Sequence, residues 1–146
     1  MINLAIKKLS KNAVVPQNAY RGDAGYDLVS TEKHCLKPFE RALIGTGIAI
    51  AIPEGYAGFV VPRSGLAIKQ GLSVVNAPGL IDSNYRGEIK VIAINLDKDN
   101  SITINPGDRI AQLVIQKVED VSFIEVDSLD CSERGTGGFG SSGVTN

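Results

Sequence analysis

The chain has 146 residues, 43% hydrophobic and 21% charged, with a net charge of −1. That length suits a single domain with an ordinary core and is too short for two independently stable ones. The near-neutral balance offers no basic excess for duplex nucleic acid, and no stretch is apolar for long enough to span a bilayer.

Met1 to Lys8 has a short apolar run without a cleavage-like sequence after it, so no secretory signal is expected and cytoplasm is the expected location. Asp23-Ala24-Gly25-Tyr26-Asp27-Leu28 puts two carboxylates beside a glycine, suited either to a metal's hydration shell or to shaping a turn. His34 is the single histidine and reads as a surface loop residue. With Cys35 and the distant Cys131 it cannot make a zinc site, so the cysteines are expected as free thiols. Any metal is then a hard ion held by oxygens, above all Mg²⁺ carried on phosphates.

Ile48 to Ile52 alternates large and small side chains, which predicts a half-buried strand ending at the Pro53-Glu54-Gly55 turn. Pro62-Arg63-Ser64-Gly65-Leu66-Ala67 places Arg and Ser at the mouth of the one predicted helix, Ser64 to Gln70. Ser64 is the expected N-cap and Gly71 the stop. That mouth is either an anion seat or simply a capped helix.

Val74 to Lys90 reads as a β-hairpin arm, strand then turn then strand, with Asp82 directly after Leu80-Ile81. Asp82 suits a general base that orients water, or equally a turn aspartate accepting backbone N–H groups. Ile89 to Leu96 and Ile110 to Ile115 are continuously apolar, which predicts strands covered on both faces, between sheets or at a subunit contact. Between them, Ser101 to Ile104 alternates polar and apolar after an Asp97–Asn100 turn. Pro106-Gly107-Asp108 leads into Arg109 and Gln112, polar groups suited to ion pairing and hydrogen bonding. Arg134 to Asn146 holds five glycines and four hydroxyl residues with one aromatic, Phe139, a composition that cannot build core. It is either a solvated end or a flap whose donors suit phosphates. Frequent turns between short apolar runs predict an all-β sandwich or jelly roll with one short helix.

Five segments in this order closely resemble the trimeric dUTPase family. They are Ala24 to Leu28, Pro62 to Ala67, Asn76 to Gly87, Arg109 to Leu113, and the tail from Arg134 to Gly143. The resemblance implies a jelly-roll homotrimer that hydrolyses dUTP to dUMP and pyrophosphate with Mg²⁺, each active site being shared between subunits. Residues 1–133 would form the β domain, and residues 134–146 a flap closing over a neighbour's site. On the same resemblance Asp82 orients the attacking water. Asn76, Leu80, Ile81 and Lys90 read the uracil edge and exclude a 5-methyl group, and Tyr85 lies against the deoxyribose. Arg63, Ser64, Gly65 and Gln112 hold the phosphates. Arg134, Ser141 and Ser142 take the terminal phosphate, with Gly140 beside them and Phe139 stacked on the base. Asp27 reaches Mg²⁺ through a metal-bound water, while Arg109 is either catalytic or an ion-pair partner of Asp27. The same fold carries dCTP deaminases, but Ile89 to Leu96 holds no carboxylate to serve such a reaction. A dUTP-binding regulatory module is the remaining alternative, against which Asp82 argues.

Overall fold

The structure is a computed structural model that describes residues 2–139 and 141. All its strand pairs are antiparallel. β1 (Ala5–Lys8) pairs with β5 (Ile48–Ala51), and β3 (His34–Leu36) with β10 (Ile102–Ile104). A four-stranded sheet runs in the order β2 (Tyr26–Val29), β11 (Arg109–Lys117), β6 (Tyr56–Val61), β8 (Gly79–Ile81), and a three-stranded sheet in the order β4 (Arg41–Gly45), β9 (Lys90–Asn95), β7 (Leu72–Val74). This is the expected all-β jelly roll. Each strand from β2 to β11 sends at least one side chain into a single cluster, whose fully buried members include Leu28, Leu36, Ile44, Ile48 and Val91. The helix α1 (Ser64–Gln70) lies where the sequence predicts it. No helix among the described residues is long and apolar enough to cross a membrane.

Several local expectations are corrected. Ser64 is not the N-cap of α1: Arg63 occupies that position with extended backbone, and no side chain caps the helix. The C-terminal stop is as expected, with Gly71 left-handed at φ 71° and its N–H returning to the Ala67 carbonyl. A Cβ at Gly71 would also stand 2.7 Å from the Asp97 nitrogen, so space and conformation both demand glycine. β5, which pairs along its edge with β1, is buried at Ile48, Ala49 and Ile50 in succession, where alternation had suggested an open face. Within one chain β9 buries Val91, Ala93 and Asn95 and leaves Ile92 and Ile94 half covered, on the face where the sequence allows a subunit contact. In β11 the ladder slips between Arg109 and Ala111, which turns Ile110 and Ala111 inward together. His34 is not in a loop. It sits on β3, partly buried, with Nε2 2.8 Å from Glu32 Oε2. That contact leads the causes holding the Glu32 carboxyl below its usual range.

The strands flanking the segment from Val74 to Lys90 pair as the arms of a wide hairpin, but the turn region between them holds a further strand. β7 pairs with β9, whereas β8, inside the connection, leaves for the other sheet and pairs with β6. Gly58 admits it: a Cβ there would stand 3.3 Å from the Ile81 Cβ and 2.9 Å from the Ile52 Cδ1. After Lys117 the described chain carries no further strand or helix, and Phe123, Ile124 and Leu129 are 94%, 82% and 88% exposed.

Asn95 is the polar residue that ties the three-stranded sheet to its surroundings. Fully buried, it donates from Nδ2 to the Leu36 and Asn100 carbonyls and accepts from the Asp97 N–H. Asn95→Ala should cost about 2–4 kcal/mol, since buried backbone groups lose their partners, and a fall in the denaturant midpoint would measure it. Asp97 in turn accepts from the N–H groups of Asp99 and Asn100, each at 2.8 Å. These bonds, Asp99 first, hold its carboxyl below the usual carboxylate range. A lowered folded-state pKa stabilises above the unfolded value, about 4, and that contribution is lost as pH falls through the folded value. The stability gap between the unaltered protein and Asp97→Asn should therefore narrow on titrating from pH 6 to pH 2. A gap independent of pH would contradict this.

Candidate active site

Two clefts collect most of the residues singled out from the sequence. The first, of about 290 Å³, is lined by Asn76, Leu80, Ile81, Asp82, Tyr85 and Lys90 together with Leu43, Val60 and Glu88. Its floor is β8, whose Gly79 and Ile81 are buried while Leu80 is 61% exposed and faces outward. β8 ends its sheet, so among the described residues its outer N–H and C=O groups have no neighbouring strand. Those groups form a fixed row of donors and acceptors at the cleft wall. Asp82 follows immediately, with its carboxylate exposed and its carbonyl accepting the Tyr85 N–H at 3.1 Å, which closes the turn.

Residues beyond those expected shape this cleft. Glu88 Oε1 accepts the Gly47 N–H at 2.8 Å, and its other oxygen lies 3.4 Å from Lys90 Nζ. The Arg86 guanidinium donates to the carbonyls of Ser83 and Tyr85, so it braces the turn. The Tyr85 hydroxyl donates to the Glu88 carbonyl at 2.9 Å. The sequence signal for Glu88 is a carboxylate at the entrance of an apolar strand, a position that requires a partner once the strand is buried.

The second cleft, of about 350 Å³, is polar and lined by Asp23, Gly25, Asp27, Arg63 and Gln112. The β2–β11 register sets Asp27 opposite Gln112, and Gln112 is also opposite Val61 of β6. The Asp27 carboxylate is wedged between two arginines, with Oδ1 3.0 Å from Arg63 Nε and Oδ2 3.1 Å from Arg109 Nη1. The first contact is off the hydrogen-bond direction, which leaves the buried Arg63 Nε paired by charge and not by a directed bond. Arg63 also donates to the Arg109 carbonyl. The ion pair between Arg109 and Asp27, one of the two readings of Arg109, is thus present. Gln112 extends over Gly25, where a Cβ would run into its amide. Ser64 and Gly65 sit exposed in the first turn of α1, just beyond Arg63.

One chain does not bring these clefts together. Ile81 pairs with Gly58 near the start of β6, whereas Arg63 lies past the far end of that strand. At about 3.3 Å per residue the Asp82 and Arg63 sites are roughly 20 Å apart. The described tail joins neither cleft. Arg134 Nε donates to the Gly137 carbonyl within a local turn, the Ser141 N–H reaches Gly138, and the Phe139 ring is fully exposed. Gly140 and Ser142 lie outside the described residues. Among the described residues no group of three His, Cys, Asp or Glu side chains could hold a metal ion. Both cysteines are free and exposed.

Comparison with known proteins gives this geometry its context. A family model described as dUTPase matches residues 11–143. A deoxyuridine 5'-triphosphate nucleotidohydrolase of Rhodococcus erythropolis is 58% identical, the match covering 97% of this chain and 87% of that protein. One from Tropheryma whipplei is 53% identical, with 96% of each chain covered. Among solved structures, the dUTPase of Staphylococcus bacteriophage 80alpha with dUPNHPP superposes with a TM-score of 0.92 at 36% identity, over 99% of this chain and all (100%) of that one. A dUTPase of phage phi11 of S. aureus, whose structure reveals coordination of a structural Mg(II) ion, gives 0.82 at 30% identity over 89% of this chain and 100% of that one. With a matching family model over most of its length and relatives above half identity across it, the chain belongs to the dUTPase family.

Proposed function

We propose that the protein hydrolyses dUTP to dUMP and pyrophosphate. The observation that carries this is the β8 edge, a row of backbone donors and acceptors ending at a carboxylate. A uracil edge offers two carbonyls flanking one N–H, a pattern that an open strand edge can complement. Asn76, Leu80, Ile81 and Lys90 line the cleft that would take it and would exclude a 5-methyl group. Tyr85 would lie on the deoxyribose. Hydrolysis would limit uracil incorporation into DNA and supply dUMP for dTMP synthesis.

In the chemical step Asp82 accepts a proton from water as the water oxygen bonds to the α-phosphorus. The bond from that phosphorus to the bridging oxygen breaks, and pyrophosphate leaves with the electron pair. Arg63 with Ser64, Gly65 and Gln112 would hold the phosphates, the Arg63 charge being fixed by Asp27 before the substrate arrives. Mg²⁺ entering on the phosphate oxygens fits a protein whose described residues offer no cage of their own, and it supplies charge neutralisation when bound. Asp27 would meet it through a metal-bound water, using lone pairs its two arginines leave over. Arg109 then serves as the ion-pair partner that holds Asp27.

The separation of the Asp82 and Arg63 clefts favours a homotrimer in which one nucleotide spans groups from different subunits. Residues 134–146 would act as the flap over a neighbour's site: Arg134, Gly140, Ser141 and Ser142 on the terminal phosphate, Phe139 on the base. A reducing cytoplasm suits the exposed thiols of Cys35 and Cys131.

Pyrophosphate release with Mg²⁺ from dUTP, dCTP, dTTP and UTP, measured side by side, tests the reading. Release should be confined to dUTP, and Asp82→Asn should slow it about 100- to 10,000-fold with nucleotide binding near normal. An unslowed variant would remove Asp82 from the mechanism. Chains ending at Glu133 should keep the trimer mass by light scattering yet lose turnover, and full activity without the tail would refute the flap.

A further inference from the structure

The Tyr85 ring is held by a seat that neither composition nor motif spacing indicates. Its hydroxyl donates to the Glu88 carbonyl, and its face lies across the Gly87 backbone. A Cβ at Gly87 would stand 2.5 Å from Tyr85 Cζ and 2.9 Å from Cε2, distances at which the ring must move. Gly87 is not among the glycines with positive φ. Glycine is therefore needed there for room and not for backbone conformation, so alanine is compatible with the local chain path. The Glu88 carbonyl is itself immobilised. The Glu88 side chain is bonded to the Gly47 N–H in the β4–β5 turn, and Ile89, the next residue, is buried and donates to the Ile48 carbonyl. From the other side, Arg86 clamps the Tyr85 carbonyl.

We propose that Gly87 and the Glu88 carbonyl are specificity-determining elements that fix the Tyr85 ring where it rejects a 2′-hydroxyl. The inference rests on the placement of Tyr85 against the deoxyribose. An aromatic ring excludes one added oxygen only if it cannot yield by about an ångström, and the seat supplies that rigidity from below while leaving the outer face to the sugar. Gly87 and Glu88 are positioning residues, acting on substrate through Tyr85. The base is read separately along β8, so disturbing the seat should change sugar selection without changing base selection.

The test is kcat/KM for dUTP, UTP and dTTP with the full-length protein and with Gly87→Ala, Tyr85→Phe, Tyr85→Ala and the double variant Tyr85→Ala with Gly87→Ala. Gly87→Ala should lower the dUTP-to-UTP ratio about tenfold or more, leave the dUTP-to-dTTP ratio within about threefold, and retain the unaltered thermal midpoint and assembly mass. In the Tyr85→Ala background, with no ring to displace, the glycine change should have no further effect on sugar selection, which is the coupling expected of residues in contact. Tyr85→Phe, which removes only the bond to Glu88, should lower the sugar ratio by a smaller factor and keeps the proposal testable if Gly87→Ala fails to fold. An unchanged sugar ratio in Gly87→Ala, or in Tyr85→Phe where that variant must stand in for it, overturns the seat. Equal effects of Gly87→Ala with and without the ring do so as well. If Tyr85→Ala itself preserves sugar selection, the placement of Tyr85 fails and the seat with it. No release from dUTP by the unaltered protein would instead defeat the hydrolase reading.

Discussion

The pairing of β8 with β6 is the contact on which the candidate site depends, because it splits the chain between Val74 and Lys90 across two sheets. Its ends are held in the three-stranded sheet, where β7 and β9 pair, and its middle is held in the four-stranded sheet. A connection pinned at three points cannot flex as an ordinary loop does, since moving it would break ladder bonds in both layers. The pairing is possible because Gly58 lets Ile81 approach the β6 backbone. Asn76, Asp82 and Tyr85 sit in the short turns on either side of β8, so their positions are set by the strand they flank.

The polar cleft is organised by charge. Asp27, on β2, faces two arginines that come from the end of β6 and the start of β11. Without it those guanidiniums would repel each other and spread into solvent. With it they are held in advance of any anion, which lowers the reorganisation that binding would otherwise require. The carboxylate is also mostly covered, its side chain 15% exposed, so salt screens the pairs less than it would at an open surface.

Much of this was legible in the residues themselves. Short apolar runs punctuated by Gly55 and Gly107 announced strands and turns, and both glycines have positive φ. The helix from Ser64 to Gln70 was visible in its Gly71 stop, because a left-handed terminus leaves a chemical mark at one position. Pairing partners were not visible. Nothing in Val74 to Lys90 says that Gly79–Ile81 should pair with a strand some twenty residues earlier instead of with its own flanks, since register depends on which surface the whole fold makes available. Burial was misjudged at Ala49, which alternation had placed on an open face. The site residues were nameable because the family resemblance supplied roles. Glu88 and Gly87 escaped because their work is done through a backbone carbonyl and a missing side chain, neither of which residue chemistry displays.

The stretch after β11 has an implication of a different kind. Phe123, Ile124 and Leu129 stand almost wholly in water, and at roughly 25 cal/mol per Å² of apolar surface such exposure weighs heavily against the few kcal/mol by which a domain is stable. In the homotrimer proposed above, covering this surface would couple folding to association, and resistance to unfolding would become a function of protein concentration. Dilution would then act as a denaturant, and newly made chains would pass through a sticky, protease-sensitive interval whose length depends on how soon they meet one another.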